Sequence, residues 1–130
     1  MKKYMKVVIA VTVVCLVSGG VAYGIFEKTK RHVVPREALD GKTMIITEDG
    51  FTPDSLRVAV GTTIKFINND TYWHWPASDP HPSHTFYSEL DPRAPIKPGT
   101  TWEVTLTKSG SWGIHDHLAP YITGTITVTP

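Results

Sequence analysis

Two kinds of hydrophobic pattern divide the chain. Residues 7–26 form an almost unbroken apolar run, preceded by Lys2, Lys3 and Lys6 and followed by Lys28, Lys30 and Arg31. About 20 apolar residues suffice to cross a bilayer as a helix. From residue 44 onward the apolar positions fall instead in short runs that suit strands. Residues 44–47 (MIIT) predict a first strand, ended by Glu48-Asp49-Gly50. In residues 56–60, Val58 and Val60 alternate with Arg57 and Ala59, and Gly61-Thr62 turns the chain into a strand over 63–67. Residues 101–107 (TWEVTLT) place Trp102, Val104 and Leu106 on one face, and two further strands are predicted over 112–115 and 122–128. Between them, residues 71–98 carry Pro76, Pro80, Pro82, Pro92, Pro95 and Pro98, which block regular ladder pairing and predict a long irregular loop. Short strands with close turns and no helical period predict an all-β sandwich.

These patterns predict three segments: 1–26 as a signal anchor or signal peptide, 27–40 as a polar tether, and 41–130 as one β-domain. Gly20-Val21-Ala22 is a small-residue cleavage signal, yet the apolar run continues through Ile25 and Phe26, as an anchor requires and a cleaved leader does not. A retained N-terminal apolar helix is the expectation, with the domain on the extracytoplasmic face of the membrane; cleavage would make it secreted or periplasmic. Cys15 follows Thr12-Val13-Val14 rather than a small-residue lipobox, which argues against lipoprotein processing.

Charge and cysteine usage then narrow the chemistry. The net charge of +1 hides an asymmetry, because from Asp40 onward six Lys and Arg face ten Asp and Glu, which disfavours a nucleic-acid partner. Cys15, in the apolar run, is the only cysteine, so the β-domain has neither disulfide nor thiolate. Histidines take their place. Five of the six, His74, His81, His84, His115 and His117, fall in the Pro-rich loop or the closing strands. On a strand, His115 and His117 share a face roughly 6.5–7 Å apart while Asp116 points the other way. A third histidine from residues 74–84 would complete a three-nitrogen metal site. Imidazoles suit Cu(II), Zn(II) and Ni(II), and copper is favoured at equal ligands. Asp116 is open to three readings: a carboxylate ligand, the partner that orients His74, or a polar residue capping the strand end. The tryptophans and the acidic loop residues, Asp91 among them, read as packing and loop structure.

The order of pieces GFTPDSLRVAVGTTIKFINND, His74, IKPGTTWEVTLTKSGSWGIHDH and ITGTITV resembles the cupredoxins, the Greek-key sandwiches of the blue copper proteins, over about residues 43–129. The resemblance implies a type 1 copper site whose first histidine is His74. Aligned without gaps on ITG, it puts Asp116 at the cysteine, Ala119 at the second histidine and Ile122 at the methionine. Three of four ligands are replaced, and a blue site needs the thiolate. The segments H-P-S-H at 81–84 and H-D-H at 115–117 also resemble the multicopper oxidases, and under that alignment the loop ligands are His81 and His84. The two resemblances disagree about the first ligand.

The expected function is extracytoplasmic, membrane-anchored copper binding through His74, His81, His84, His115, His117 and Asp116, for copper binding, storage or delivery. The alternatives are a small type 2 copper oxidoreductase and a metal-free module that presents the Trp, Pro and His loop to a partner. No catalytic residue is assigned, and the reading leans away from an enzyme. The expected partners are a copper ion and, through the N-terminal helix, the membrane.

Overall fold

The computed structural model describes residues 36–130. The expected membrane helix and most of the tether lie outside them. Among the described residues no helix is long and apolar enough to cross a membrane. The only helical element described is a short 3-10 helix, Arg36–Leu39, followed by eight strands: β1 (Thr43–Thr47), β2 (Gly50–Thr52), β3 (Ser55–Ala59), β4 (Thr63–Asn68), β5 (Pro76–Ser78), β6 (Thr101–Thr105), β7 (Gly110–Asp116) and β8 (Ala119–Thr129).

The strands form two four-stranded sheets, β2-β1-β4-β6 and β3-β8-β7-β5. β1 pairs parallel with β4, and β3 pairs parallel with β8. The alternation read from the sequence is the reason these sheets face one another. In β3, Leu56 and Val58 are buried and Arg57 is exposed; in β4, Ile64 and Phe66 are buried and Lys65 is exposed. Met44, Ile46, Ile114, Ile126 and Val128 fill the space between the sheets with them. Phe66 stacks on Trp102 at 5.4 Å and meets Phe51 edge-on at 6.2 Å.

Six expected strands are present, some longer than expected at their ends. Two were not expected. β2 is three residues long and begins at the glycine of the turn, where φ is +127°. β5 lies inside the Pro-rich loop; it begins with Pro76 and forms the edge of its sheet, the position where a missing N–H costs least. Its partner is β7, with Pro76 opposite Asp116 and Ala77 opposite His115.

The loop after β5 is irregular but anchored. Tyr87 and Leu90 are fully buried in the sandwich core. The Tyr87 hydroxyl accepts the backbone N–H groups of Thr107 (2.7 Å) and Lys108 (3.2 Å). Ser78 Oγ lies 3.1 and 2.9 Å from the carbonyls of His84 and Tyr87. These contacts hold the H-P-S-H segment against the end of β7.

Candidate metal centre

Four of the candidate histidines come together at the end of β7. One nitrogen each of His81, His115 and His117 lies within 4.8 Å of the others. The His81 ring stacks on His117 at 4.7 Å and meets His115 at 5.2 Å. His84 stands 4.9 Å from His117 and 5.2 Å from His115 between ring centroids. Trp75 walls the group, 4.6 Å from the His117 ring, and its carbonyl accepts the His117 backbone N–H at 2.8 Å.

The hydrogen bonds assign each ring a tautomer, because an ionised carboxylate only accepts. His115 Nδ1 donates to Asp79 Oδ1 at 2.8 Å, so its Nε2 carries a lone pair. That Nε2 is buried and has no hydrogen-bond partner among the described residues. His84 Nδ1 donates to Asp91 Oδ2 at 2.8 Å, and His84 Nε2 then accepts from His117 Nδ1 at 3.0 Å. His117 Nε2 is left with a free lone pair. Three imidazoles are thus held by two chains ending in carboxylates, Asp79–His115 and Asp91–His84–His117, the arrangement that fixes metal-ligating histidines elsewhere. Asp91 also accepts from Trp75 Nε1 at 2.8 Å. Burial works against ionisation of Asp91, but the N–H donors of Trp75, His84 and Arg93 outweigh it and hold the carboxyl below the ordinary range. His117 is held below the ordinary histidine value by burial first and by the neighbouring imidazoles second.

His84 occupies this position with a left-handed φ of 54°, which histidine tolerates better than most residues. His81, by contrast, is exposed and makes no hydrogen bond among the described residues. A tetrahedral ion with nitrogen ligands at about 2.0–2.1 Å needs its donors roughly 3.3 Å apart. The remaining closure falls on His81, the ring with freedom to move. An all-imidazole donor set with an orphaned, buried lone pair fits a copper(II) or zinc ion. It does not fit a blue site, because among the described residues the cluster includes no thiolate or thioether.

His74 and Asp116 lie on the other face of β7. His74 Nδ1 is hydrogen-bonded to Asp116 Oδ2, and His74 Nε2 lies 3.0 Å from Asp70 Oδ2. Both ring nitrogens are therefore engaged by carboxylates. Asp116 Oδ1 also accepts the backbone N–H groups of Trp75 (2.9 Å) and Leu118 (3.0 Å). Asn68, fully buried, positions this loop: its Nδ2 donates to the carbonyls of Tyr72 (2.8 Å) and Ile96 (3.1 Å), and its Oδ1 accepts from Asp70 N at 3.0 Å. Burial opposes the ionisation of Asp70, but donors from His74, Thr71 and Tyr72 together hold its carboxyl below the ordinary range.

His74, Asp116, Ala119 and Ile122, the four positions that the gap-free alignment gives to type 1 copper, all line one cavity of about 580 Å³. The histidines of the H-P-S-H and H-D-H segments meet on the opposite side. The two resemblances thus describe two different places in the same fold. Asp79 and Asp91, the carboxylates behind the cluster, were missed from sequence. The available signal was that each precedes a proline and that together they bracket the H-P-S-H segment.

No protein-family model matches the sequence, and no curated protein matches it. Among solved structures, a purple cupredoxin from Nitrosopumilus maritimus superposes with a TM-score of 0.55 at 20% identity, covering 67% of this chain and 98% of that one. An oxidised amicyanin variant gives 0.57 at 19% identity, covering 68% and 82%. The copper-containing nitrite reductase of Thermus scotoductus gives 0.55 at 24% identity, and there the match covers 68% of this chain but only 22% of the enzyme. The fold is the cupredoxin-like sandwich, carrying a histidine cluster without cysteine or methionine.

Proposed function

We propose that the protein is an extracytoplasmic, membrane-anchored copper-binding protein that holds copper through His81, His115 and His117, for storage or delivery. The observation that carries this reading is the buried, unpartnered Nε2 of His115, because an imidazole lone pair desolvated without a donor is costly unless an ion takes it. His84 and Asp91 act on His117, and Asp79 on His115, by fixing the tautomers that leave the metal-facing lone pairs free. His74 and Asp116 act outside this centre.

The test is the metal content of the full chain purified after copper, zinc or no supplementation, beside the double variant His115→Ala with His117→Ala. One copper per chain, lost in a folded double variant, is the expected result. Unchanged stoichiometry in that variant would remove the cluster from consideration. The exposure of His81 also favours a second reading, a small type 2 copper oxidoreductase, because a ligand at the solvent boundary leaves room for a small reactant. Oxygen consumption by the copper-loaded chain with a reductant separates the two.

A further inference from the structure

The cavity on the far side of β7 is lined by carboxylates and aromatics and by no Lys or Arg among the described residues. Six large apolar side chains are exposed in the described residues, and four of them, Tyr72, Trp73, Leu118 and Tyr121, belong to this one cavity. Tyr121 is 82% exposed, an unfavourable place for a tyrosine that nothing among the described residues covers. Asp70 and Asp116 are committed to His74. Glu48 and Asp49 are not: both are exposed, and neither is in an ion pair among the described residues.

We propose that this cavity binds a small organic ammonium ion. Aromatic faces attract a cation through the ring quadrupole, and free carboxylates supply the opposite charge that selects a cation over a neutral ligand. One ring already shows the contact: the Lys97 ammonium lies 5.7 Å from the centre of Trp73. With Trp73 partly served by Lys97, the ligand's cationic contacts fall mainly on Tyr72 and Tyr121. Anions are disfavoured by Glu48 and Asp49. A metal ion is disfavoured because both nitrogens of His74 are already engaged. At about 580 Å³ the cavity has the size of a small-molecule site.

The test uses the full chain, metal-free, titrated by calorimetry and tryptophan fluorescence with choline and with its neutral carbon isostere, dimethylbutanol. One-to-one saturable binding of choline, roughly tenfold tighter than the isostere, is expected. Tyr121→Ala and the pair Glu48→Gln with Asp49→Asn should each weaken choline several-fold without unfolding the protein, since all three side chains are exposed. The His115→Ala with His117→Ala variant should bind choline as the wild type does, so this result is independent of the copper reading. Equal affinity for choline and the isostere would overturn the proposal, as would no saturation by choline. Binding of an acetylated lysine-rich peptide with none of choline would overturn it in favour of a protein partner.

Discussion

Replacing Gly113 by alanine acts on the metal centre without touching a histidine. A Cβ at this position would stand 2.2 Å from Asp79 Oδ2 and 3.2 Å from its Cγ, where ordinary contact begins near 3.4 Å. The carboxylate must therefore move by more than about 1 Å. It can do so, because the Asp79 side chain is 41% exposed and can swing into water. The backbone does not resist, since Gly113 is not among the glycines with positive φ. What is lost is the 2.8 Å bond to His115 Nδ1, in a side chain only 3% exposed. Leaving that donor unpaired costs about 1–3 kcal/mol, offset by about 0.4–1 kcal/mol from the stiffer unfolded chain. A net destabilisation of about 1–2 kcal/mol is expected by urea unfolding. Metal affinity should fall about 10–100-fold, the usual effect of removing the group behind a ligating imidazole. A competition titration against a chelator measures this. Asp79→Ala should reproduce the loss, and the double variant should add nothing to it, because both changes remove one contact. Singles whose effects multiply in the double, or Asp79→Ala with wild-type affinity, would refute the reasoning.

Three further outcomes are expected. Copper-loaded protein should lack the intense visible absorption of thiolate-to-copper charge transfer, and a strong blue colour would contradict the all-imidazole donor set. His84→Ala should weaken metal binding about 10–100-fold by releasing His117, while His74→Ala leaves it unchanged; the reverse order, read in the same competition assay, would move the centre to the other face of β7. In metal-free protein, the His117 ring should titrate below 6.5 in an NMR pH series. The unfolded chain then takes up that proton first, so stability present above about 6.5 declines as pH falls through the lowered folded value. A His117 midpoint at or above 6.5 would contradict its burial among the other imidazoles.

Much of this was legible because alternation is a local property. Trp102, Val104 and Leu106 announce their face within seven residues, and so do Leu56 with Val58 and Ile64 with Phe66. β5 escaped because its reason for being a strand lies in residues 114–116, far along the chain, and Pro76 concealed it. The spacing of His115 and His117 was enough to bring both to one face. It carried no information about Asp79 and Asp91, whose roles depend on a loop pinned by Tyr87 and Leu90. Nor could spacing say which side of β7 His74 would meet, since that depends on the path of the chain after Asn68.

The alternation of His115, Asp116 and His117 makes the end of β7 and the residue after it a partition with two working surfaces. Even positions there answer to one compartment and odd positions to the other, and the shared wall is a single backbone. A cysteine placed at 116 would be delivered to His74, in the chamber with Ala119 and Ile122, and would leave the imidazole cluster without sulfur. The two chambers share one support, since Asp116 accepts the Trp75 N–H while the Trp75 carbonyl holds the His117 N–H, so a change at 116 must keep an acceptor there if the imidazole side is to stay in place.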